Sequence, residues 1–390
     1  MPALAAAAVA ATDREGALGA LSRAALALPI LAIPAKAGAA EIGEMGFTIL
    51  GYKERGLMKV VEPVLWGKAR IGETWEVQAN VALDIVSGAS PESVSNISGT
   101  PVQLVSAASV RDRRHLGDVR VSRRLGELTL GISRSFSEEN DYRSHAYGIE
   151  ARWDLNERNT TLAFGYGQSA DNIGSTLDPT LDERRDTREY LFGVTQVLSR
   201  FDLVQSTITV ARGRGWFSDP YKFTRTFYPD GGAAFLFDLR PSSRDSFAWL
   251  TRYRRHVPRA DGTLQAEYRY YSDDWDVRAH TLELAWQQSM GERWAVRPAI
   301  RYHTQGAARF YSPLIPRPAP AELSSDPRLA AFGGISTSVR GILKLEGGLL
   351  VELTVGNVHN TRVFRAGGNG TPTYPTLQAW YGILGISRAF

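Results

Sequence analysis

The sequence predicts an all-β fold: a closed antiparallel transmembrane β-barrel of about sixteen strands, with short periplasmic turns and long extracellular loops. Three observations carry this expectation. Segment after segment alternates apolar and polar residues with period two, which puts one residue class on each face of a strand. The connections between segments alternate between short and long. Beyond a short leader, no apolar run approaches the roughly 20 residues that a membrane helix needs.

The 390 residues are 43% hydrophobic, yet the mean hydropathy is negative. Barrel strands give this result because lipid-facing and water-facing positions average out. The 37 Gly, 15 Tyr, 15 Phe and 9 Trp suit close strand packing and interfacial rings. Cysteine is absent, which excludes a disulfide frame and a thiolate metal site. A net charge of +4 is small for this length and gives no argument for a nucleic-acid partner.

Ala24 to Ala35 is almost wholly apolar, follows Arg23 and precedes Ala37-Gly38-Ala39. A basic flank, a short apolar core and a small-x-small site describe a secretory signal peptide. Pro29 and Pro34 suit a buried helix poorly. Cleavage is expected after Ala37, Ala39 or Ala40, and the stretch before Arg23, with Asp13 and Glu15, is longer than such a leader requires. The expected organisation is a leader over 1–40 and a barrel over 41–390, in the outer membrane of a Gram-negative bacterium.

Taken in order, strands are expected near 47–54, 57–69, 74–86, 115–124, 127–136, 142–154, 159–168 and 187–199. The second half follows at 202–212, 245–256, 263–272, 277–288, 293–305, 328–343, 348–356 and 375–390. Within 74–84, Trp75, Val77, Ala79, Val81 and Leu83 fall on one face and Glu76, Gln78, Asn80 and Asp84 on the other. Leu264, Ala266, Tyr268 and Tyr270 likewise oppose Gln265, Glu267, Arg269 and Tyr271. Tight turns at 71–73, 125–126, 156–158, 199–200, 259–262, 290–292 and 345–347 alternate with connections that are often long: 87–114, 169–186, 213–244, 306–327 and 357–374. With both termini periplasmic, every short turn falls on one side and every long loop on the other, as outer-membrane barrels require. Trp75, Trp153, Trp286 and Trp294 sit near the proposed periplasmic turns, where an aromatic girdle belongs. The chain closes on Trp380, Leu384, Ile386 and Phe390, which share a parity. A terminal aromatic on the last strand resembles the signal read by the barrel-insertion machinery, and Arg388 departs from it.

The inward parity carries candidate lumen charges Glu76, Arg120, Glu150, Arg152, Arg252, Glu267, Arg269, Glu283, Arg297 and Arg301, with Asp84, Arg124, Glu189 and Arg254 beside them. Such a set reads either as an eyelet whose transverse field filters solutes or as a salt-bridge lattice bracing the wall. Loops 213–244 and 306–327 are the candidates for an inward constriction. None of the six histidines has a metal-ligand spacing, and no GxSxG nucleophile motif occurs. No metal, no cofactor and no enzymatic activity are therefore expected. Glu138 to Asp141 and Asp273-Asp274 read as solvated turns rather than calcium loops.

One stretch is distinctive: Ala211-Arg212-Gly213-Arg214-Gly215-Trp216-Phe217-Ser218-Asp219-Pro220-Tyr221-Lys222. With Asp84 to Pro91, Gly193 to Leu198, Tyr268 to Asp273, and Arg278-Ala279-His280-Thr281, it resembles the family designated domain of unknown function 3570, from about residue 45 to 390. The resemblance implies an outer-membrane β-barrel and brings no established activity or substrate. Its motif residues Asp84, Ser87, Arg212, Arg214, Ser218, Asp219, Tyr221, Lys222, Tyr271, Asp273, Arg278 and His280 lie where strands meet outer loops, and form a candidate rim cluster. The first functional expectation is a porin-like passive channel with a charged lumen. The alternative is an outer-membrane scaffold or sheath for an exported, periplasmic or surface protein, such as a redox partner. A hydrolase using His280 or His303 ranks third. Expected partners are outer-membrane lipid and lipopolysaccharide, and the insertion machinery during biogenesis.

Overall fold

The computed structural model describes residues 43–55, 58–88, 91–97, 100–105 and 110–390; the expected leader lies outside the described residues. In chain order the first ten strands are β1 (Gly43–Glu54), β2 (Met58–Ile71), β3 (Trp75–Gly88), β4 (Pro91–Ile97), β5 (Thr100–Val105), β6 (Val110–Leu125), β7 (Leu128–Glu138), β8 (Tyr142–Leu155), β9 (Thr160–Ile173) and β10 (Glu183–Val197). The rest are β11 (Asp202–Gly215), β12 (Phe223–Phe227), β13 (Ala233–Phe237), β14 (Ser243–Val257), β15 (Gly262–Asp273), β16 (Arg278–Met290), β17 (Trp294–Gln305), β18 (Phe332–Lys344), β19 (Leu349–Thr361) and β20 (Leu377–Ala389).

Sixteen of these close an antiparallel barrel, and β4, β5, β12 and β13 form a separate sheet. Closure is made by β1 against β20, with Phe47 opposite Ile386 and Tyr52 opposite Tyr381. In hydrocarbon an unpaired backbone group costs several kcal/mol, so a sheet whose last strand pairs with its first is the stable arrangement. The tight turns rely on residues that tolerate left-handed backbone: Gly72, Gly126 and Gly291 have φ of 63°, 62° and 71°.

Alternation decides which face is which. Val81, Ile132, Ile149, Ile300, Val339 and Leu353 are exposed on the outer wall, where lipid covers them. Trp75, Trp153 and Trp294 are exposed on the same wall beside the short turns. Inside, Leu50, Tyr52, Val60, Ala379, Tyr381 and Ile383 pack into an apolar cluster across the β20–β1–β2 seam.

Two differences from the sequence expectation have a physical reason. Several strands run longer than their apolar alternation, as β6 does from Val110 and β10 from Glu183. Polar residues continue the hydrogen-bonded ladder past the bilayer, where no greasy face is needed. The long connections 87–114 and 213–244 are not plain loops either; each holds a hairpin, β4–β5 and β12–β13. The two hairpins join through a parallel pairing of Arg225 with Ser95 and Thr226 with Asn96. Pairing of this kind is long-range and leaves no membrane pattern in either segment.

Candidate functional site: the lumen and its roof

The inner wall is built of charges on alternate strand positions. Arg120 pairs with Glu150, and Lys68 lies 3.0 Å from Glu76. Arg252 Nε donates to Glu267 at 2.7 Å, and Arg297 donates to Gln265 at 2.9 Å and to Glu283 at 3.1 Å. Arg340 sits 3.3 Å from Glu352, and Arg152 3.5 Å from Asp154. Arg269 lies over the Tyr271 ring at 5.5 Å, and Arg301 stands opposite Glu283 in the ladder.

The charges are unevenly spread. The inward positions of the contiguous strands β14 to β19 carry Arg244, Arg252, Arg254, Arg269, Arg297, Arg301 and Arg340 against Glu267, Asp273, Glu283 and Glu352. With Lys344 at the periplasmic end of β18, eight cations facing four anions leave an excess of four positive charges on this arc. The arc across the barrel, on β7 to β9, presents mainly small residues inward, Gly131, Ser133, Ser135, Ala146, Gly148, Ala163, Gly165 and Gly167, with Glu150 between Gly131 and Gly165 and with Arg152 and Asp154 nearer the periplasmic end. Glu150 and Glu267 keep 30% and 37% of their side-chain surface accessible although both point inward, so water reaches the middle of the lumen.

At the outer end the inner wall of β7 to β9 is covered. Ser137, Ser144 and Ser169 are fully buried, and Asp171 accepts from Ser144 at 2.6 Å and pairs with Arg185 at 2.7 Å. The connections between strands fold over this end as a roof. The sheet β13-β12-β4-β5 spans it, because its halves arise between the third and fourth and between the ninth and tenth of the sixteen barrel strands. Connection 306–331 packs beneath: Leu239 bridges to Leu323, and Ile315 N–H donates to Thr226 Oγ1 at 2.8 Å. Trp275, Val277, Ala308, Phe310 and Leu329 form its apolar core, with Phe217 edge-on to Trp275 at 5.6 Å.

A buried ion cluster pins the two connections together. Asp326 accepts from Arg240 at 2.8 Å and from Arg328 Nε at 2.7 Å. Asp238 accepts from Arg240 at 2.6 Å and from the Asp219 N–H at 2.7 Å, while Arg328 reaches Asp219 at 3.1 Å. Burial by itself would raise the Asp326 carboxyl, but Arg328, Lys222 and Arg240 around it hold it far below the ordinary carboxylate range. Asp238 goes the other way: burial raises it, against the opposing pull of Arg240.

The predicted lumen charges Glu76, Arg120, Glu150, Arg152, Arg252, Glu267, Arg269, Glu283, Arg297 and Arg301 all occupy inward positions. The rim residues share one end of the barrel but divide between the two sides of its wall. Ser218, Asp219, Tyr221 and Lys222 belong to the roof, and Tyr271 with Asp273 faces inward beneath it; the Tyr271 hydroxyl donates to Asp273 at 2.9 Å. Tyr221 donates to Asp141. Asp84 also faces inward, on β3. By strand parity Ser87, Arg212, Arg214, Arg278 and His280 face outward, with Arg214 paired to Asp245 and His280 Nδ1 2.8 Å from the Tyr268 hydroxyl. The wall therefore stands between His280 and Asp273. His303 faces inward, 2.9 Å from Thr281 Oγ1.

The acidic turns are engaged by protein groups. Glu138 pairs with Arg143, Glu139 with Arg114, and Asp273 takes the N–H groups of Trp275 and Val277. Among the described residues no group of three or more His, Asp or Glu could hold a metal ion. Asp238, Arg240, Asp326 and Arg328 were not among the expected site residues, although both pairs are Asp-X-Arg triplets; the first lies within the candidate constriction 213–244, and the second straddles the end of 306–327 and the start of the expected strand 328–343.

A closed sixteen-stranded barrel with a lipid-facing apolar wall, an aromatic girdle and a charged interior is an outer-membrane protein, and its place is the bacterial outer membrane. Solved structures agree on the fold. The barrel is similar to a bacterial polysaccharide outer membrane secretin (TM-score 0.50, 8% identity, 90% of this chain and 100% of that one). It is also similar to CdiB from Acinetobacter baumannii (TM-score 0.51, 6% identity, 89% of this chain and 60% of that one). No curated protein matches the sequence. The chain belongs to the family described as "Protein of unknown function (DUF3570)", whose model matches residues 18–181 and 175–362.

Proposed function

We propose that the barrel is a passive diffusion channel that favours small anions and is narrowed at its outer mouth by the roof. The observation that carries this reading is the pairing of a water-accessible lumen with an arginine-rich arc that has four more positive than negative charges and faces an arc mainly of small residues. An anion passing along that arc exchanges part of its hydration for guanidinium contacts, while a cation is repelled by the excess of four positive charges. The ion pairs along the arc brace it, so the field stays fixed as solutes pass.

The test is reconstitution of the purified full-length chain in planar bilayers under a potassium chloride gradient. The reversal potential is expected to show anion preference, and the double variant R254Q/R301Q to lower the anion-to-cation permeability ratio at least twofold. Cation preference, or a ratio unmoved by the double variant, refutes the anion reading. Bilayers that stay silent after verified insertion refute the channel altogether. They would turn attention to a sheath for an exported partner, tested by co-purification.

A further inference from the structure

On the outer wall of the β20–β1–β2 seam the surface is notched. Gly51 stands between Val61 on β2 and Gly382 on β20, so two positions without side chains meet side by side. A Cβ added at Gly51 would meet nothing within 4 Å. The result is a notch of about 300 Å³ lined by Gly51, Lys53, Lys59, Val61, Trp380 and Gly382.

One step nearer the roof, Lys53 lies directly opposite Lys59 on one side and Trp380 on the other. Like charges facing each other across a ladder are destabilising. Among the described residues neither ammonium has an ion-pair partner, and Trp380 is 64% exposed. An apolar recess in a lipid-facing wall, topped by two unpaired cations and flanked by an exposed indole, suits an amphiphile with a negative head. The lysines stand at the roof end of the barrel, which places that head at the outer leaflet. The far side of the barrel repeats the pattern. Arg188 opposes Arg212 facing outward, one ladder step above the Tyr166–Tyr190 ring pair, whose centroids are 5.3 Å apart.

We infer that the notch is a binding site for a phosphorylated lipid of the outer leaflet. Its acyl chain lies over Gly51 and Gly382 against Val61 and Trp380, and its phosphate bridges the Lys53 and Lys59 ammonium groups. Charge-assisted hydrogen bonds from both ammoniums remove the repulsion that the empty pair carries.

The test is native mass spectrometry of the full-length barrel in detergent micelles, with lipid A, dioleoylphosphatidylglycerol, dioleoylphosphatidylcholine or inorganic phosphate added at equal concentration. Lipid A and phosphatidylglycerol are expected to stay bound, and phosphatidylcholine and free phosphate to be lost. K53Q/K59Q removes the head contacts and G51L fills the recess while leaving both lysines, so each should lower lipid A retention at least fivefold. Heat-modifiable gel migration establishes that each variant is folded, and G51L decides the matter if the lysine variant does not fold. Unchanged retention in a folded variant overturns the assignment, as does equal binding of phosphatidylcholine or capture of inorganic phosphate without a lipid.

Discussion

Replacing Asp326 by Asn removes one negative charge from the centre of the roof and almost no volume. The carboxylate has 1% of its side chain exposed and holds Arg240 and Arg328, themselves 10% and 22% exposed. The carboxamide keeps one acceptor oxygen but offers two buried guanidiniums no counter-charge, leaving Asp238 and Asp219 to share them. Breaking a buried pair by removing one partner typically costs 3–5 kcal/mol, and the retained acceptor sets this case at the lower end, about 3 kcal/mol. Since about 1.4 kcal/mol is a factor of ten, the roof should open roughly a hundredfold more often. The barrel ladder does not depend on the cluster and should not respond. Amide hydrogen exchange followed by mass spectrometry reads both regions in one experiment. Exchange in 216–242 and 306–331 is expected to accelerate by about two orders of magnitude, with the barrel strands unchanged. Acceleration under threefold in both connections, or equal acceleration in the barrel strands, would refute the claim that this cluster pins the two roof connections together.

Side-chain parity can be tested by one pair of substitutions: Ile149→Arg points a charge at lipid from mid-strand, where it should cost about 2–4 kcal/mol in vesicle-based guanidine unfolding. Ser133→Arg points the same charge into the lumen and should change stability by less than about 1 kcal/mol; comparable losses in both would contradict the assignment of faces. A Cβ at Gly356 would collide with the Tyr381 ring, so Gly356→Leu should lower the thermal midpoint by overpacking the inner face beside the closing seam, at about 1–3 kcal/mol. For pH, Asp326 has a depressed folded value, so its stabilisation is present above the unfolded carboxylate range and is lost only as pH falls through that depressed value. Asp238 is raised, so its share runs the other way and weakens the roof as pH climbs through its folded value. Proteolytic cutting within 306–331 should therefore not increase as pH falls from 8 to 5, and a marked increase on acidification would show that the cluster is held otherwise.

The barrel was legible because the bilayer writes a period of two into every spanning segment. Trp75 to Asp84 could be sorted by eye, and the observed strand β3 keeps that sorting. The extent of the strands was less legible, since Val110 to Arg114 and Glu183 to Asp186 lie past the greasy zone and carry no alternating pattern to mark them. The rim residues share one end of the barrel, and their division between its two sides follows the same parity. Arg212 and Arg214 flank an inward Gly213, and Arg278 with His280 flanks an inward Ala279, so both pairs had to face outward. The roof was nearly invisible. Its triplets Asp238-Leu239-Arg240 and Asp326-Pro327-Arg328 acquire meaning only when two connections fold together. One clue was present: Phe223-Thr224-Arg225-Thr226-Phe227 alternates, and the structure makes it a strand with buried threonines.

The parallel contact between β4 and β12 bears on the order of assembly. Ser95 and Arg225 are neighbours in space although 130 positions separate them along the chain. Neither hairpin can find the other until the intervening wall has been stitched and curved far enough to carry their bases to facing sides of the mouth. Latching is thus a late event, and a surface probe that recognises only the joined hairpins would report finished molecules and pass over those still under construction.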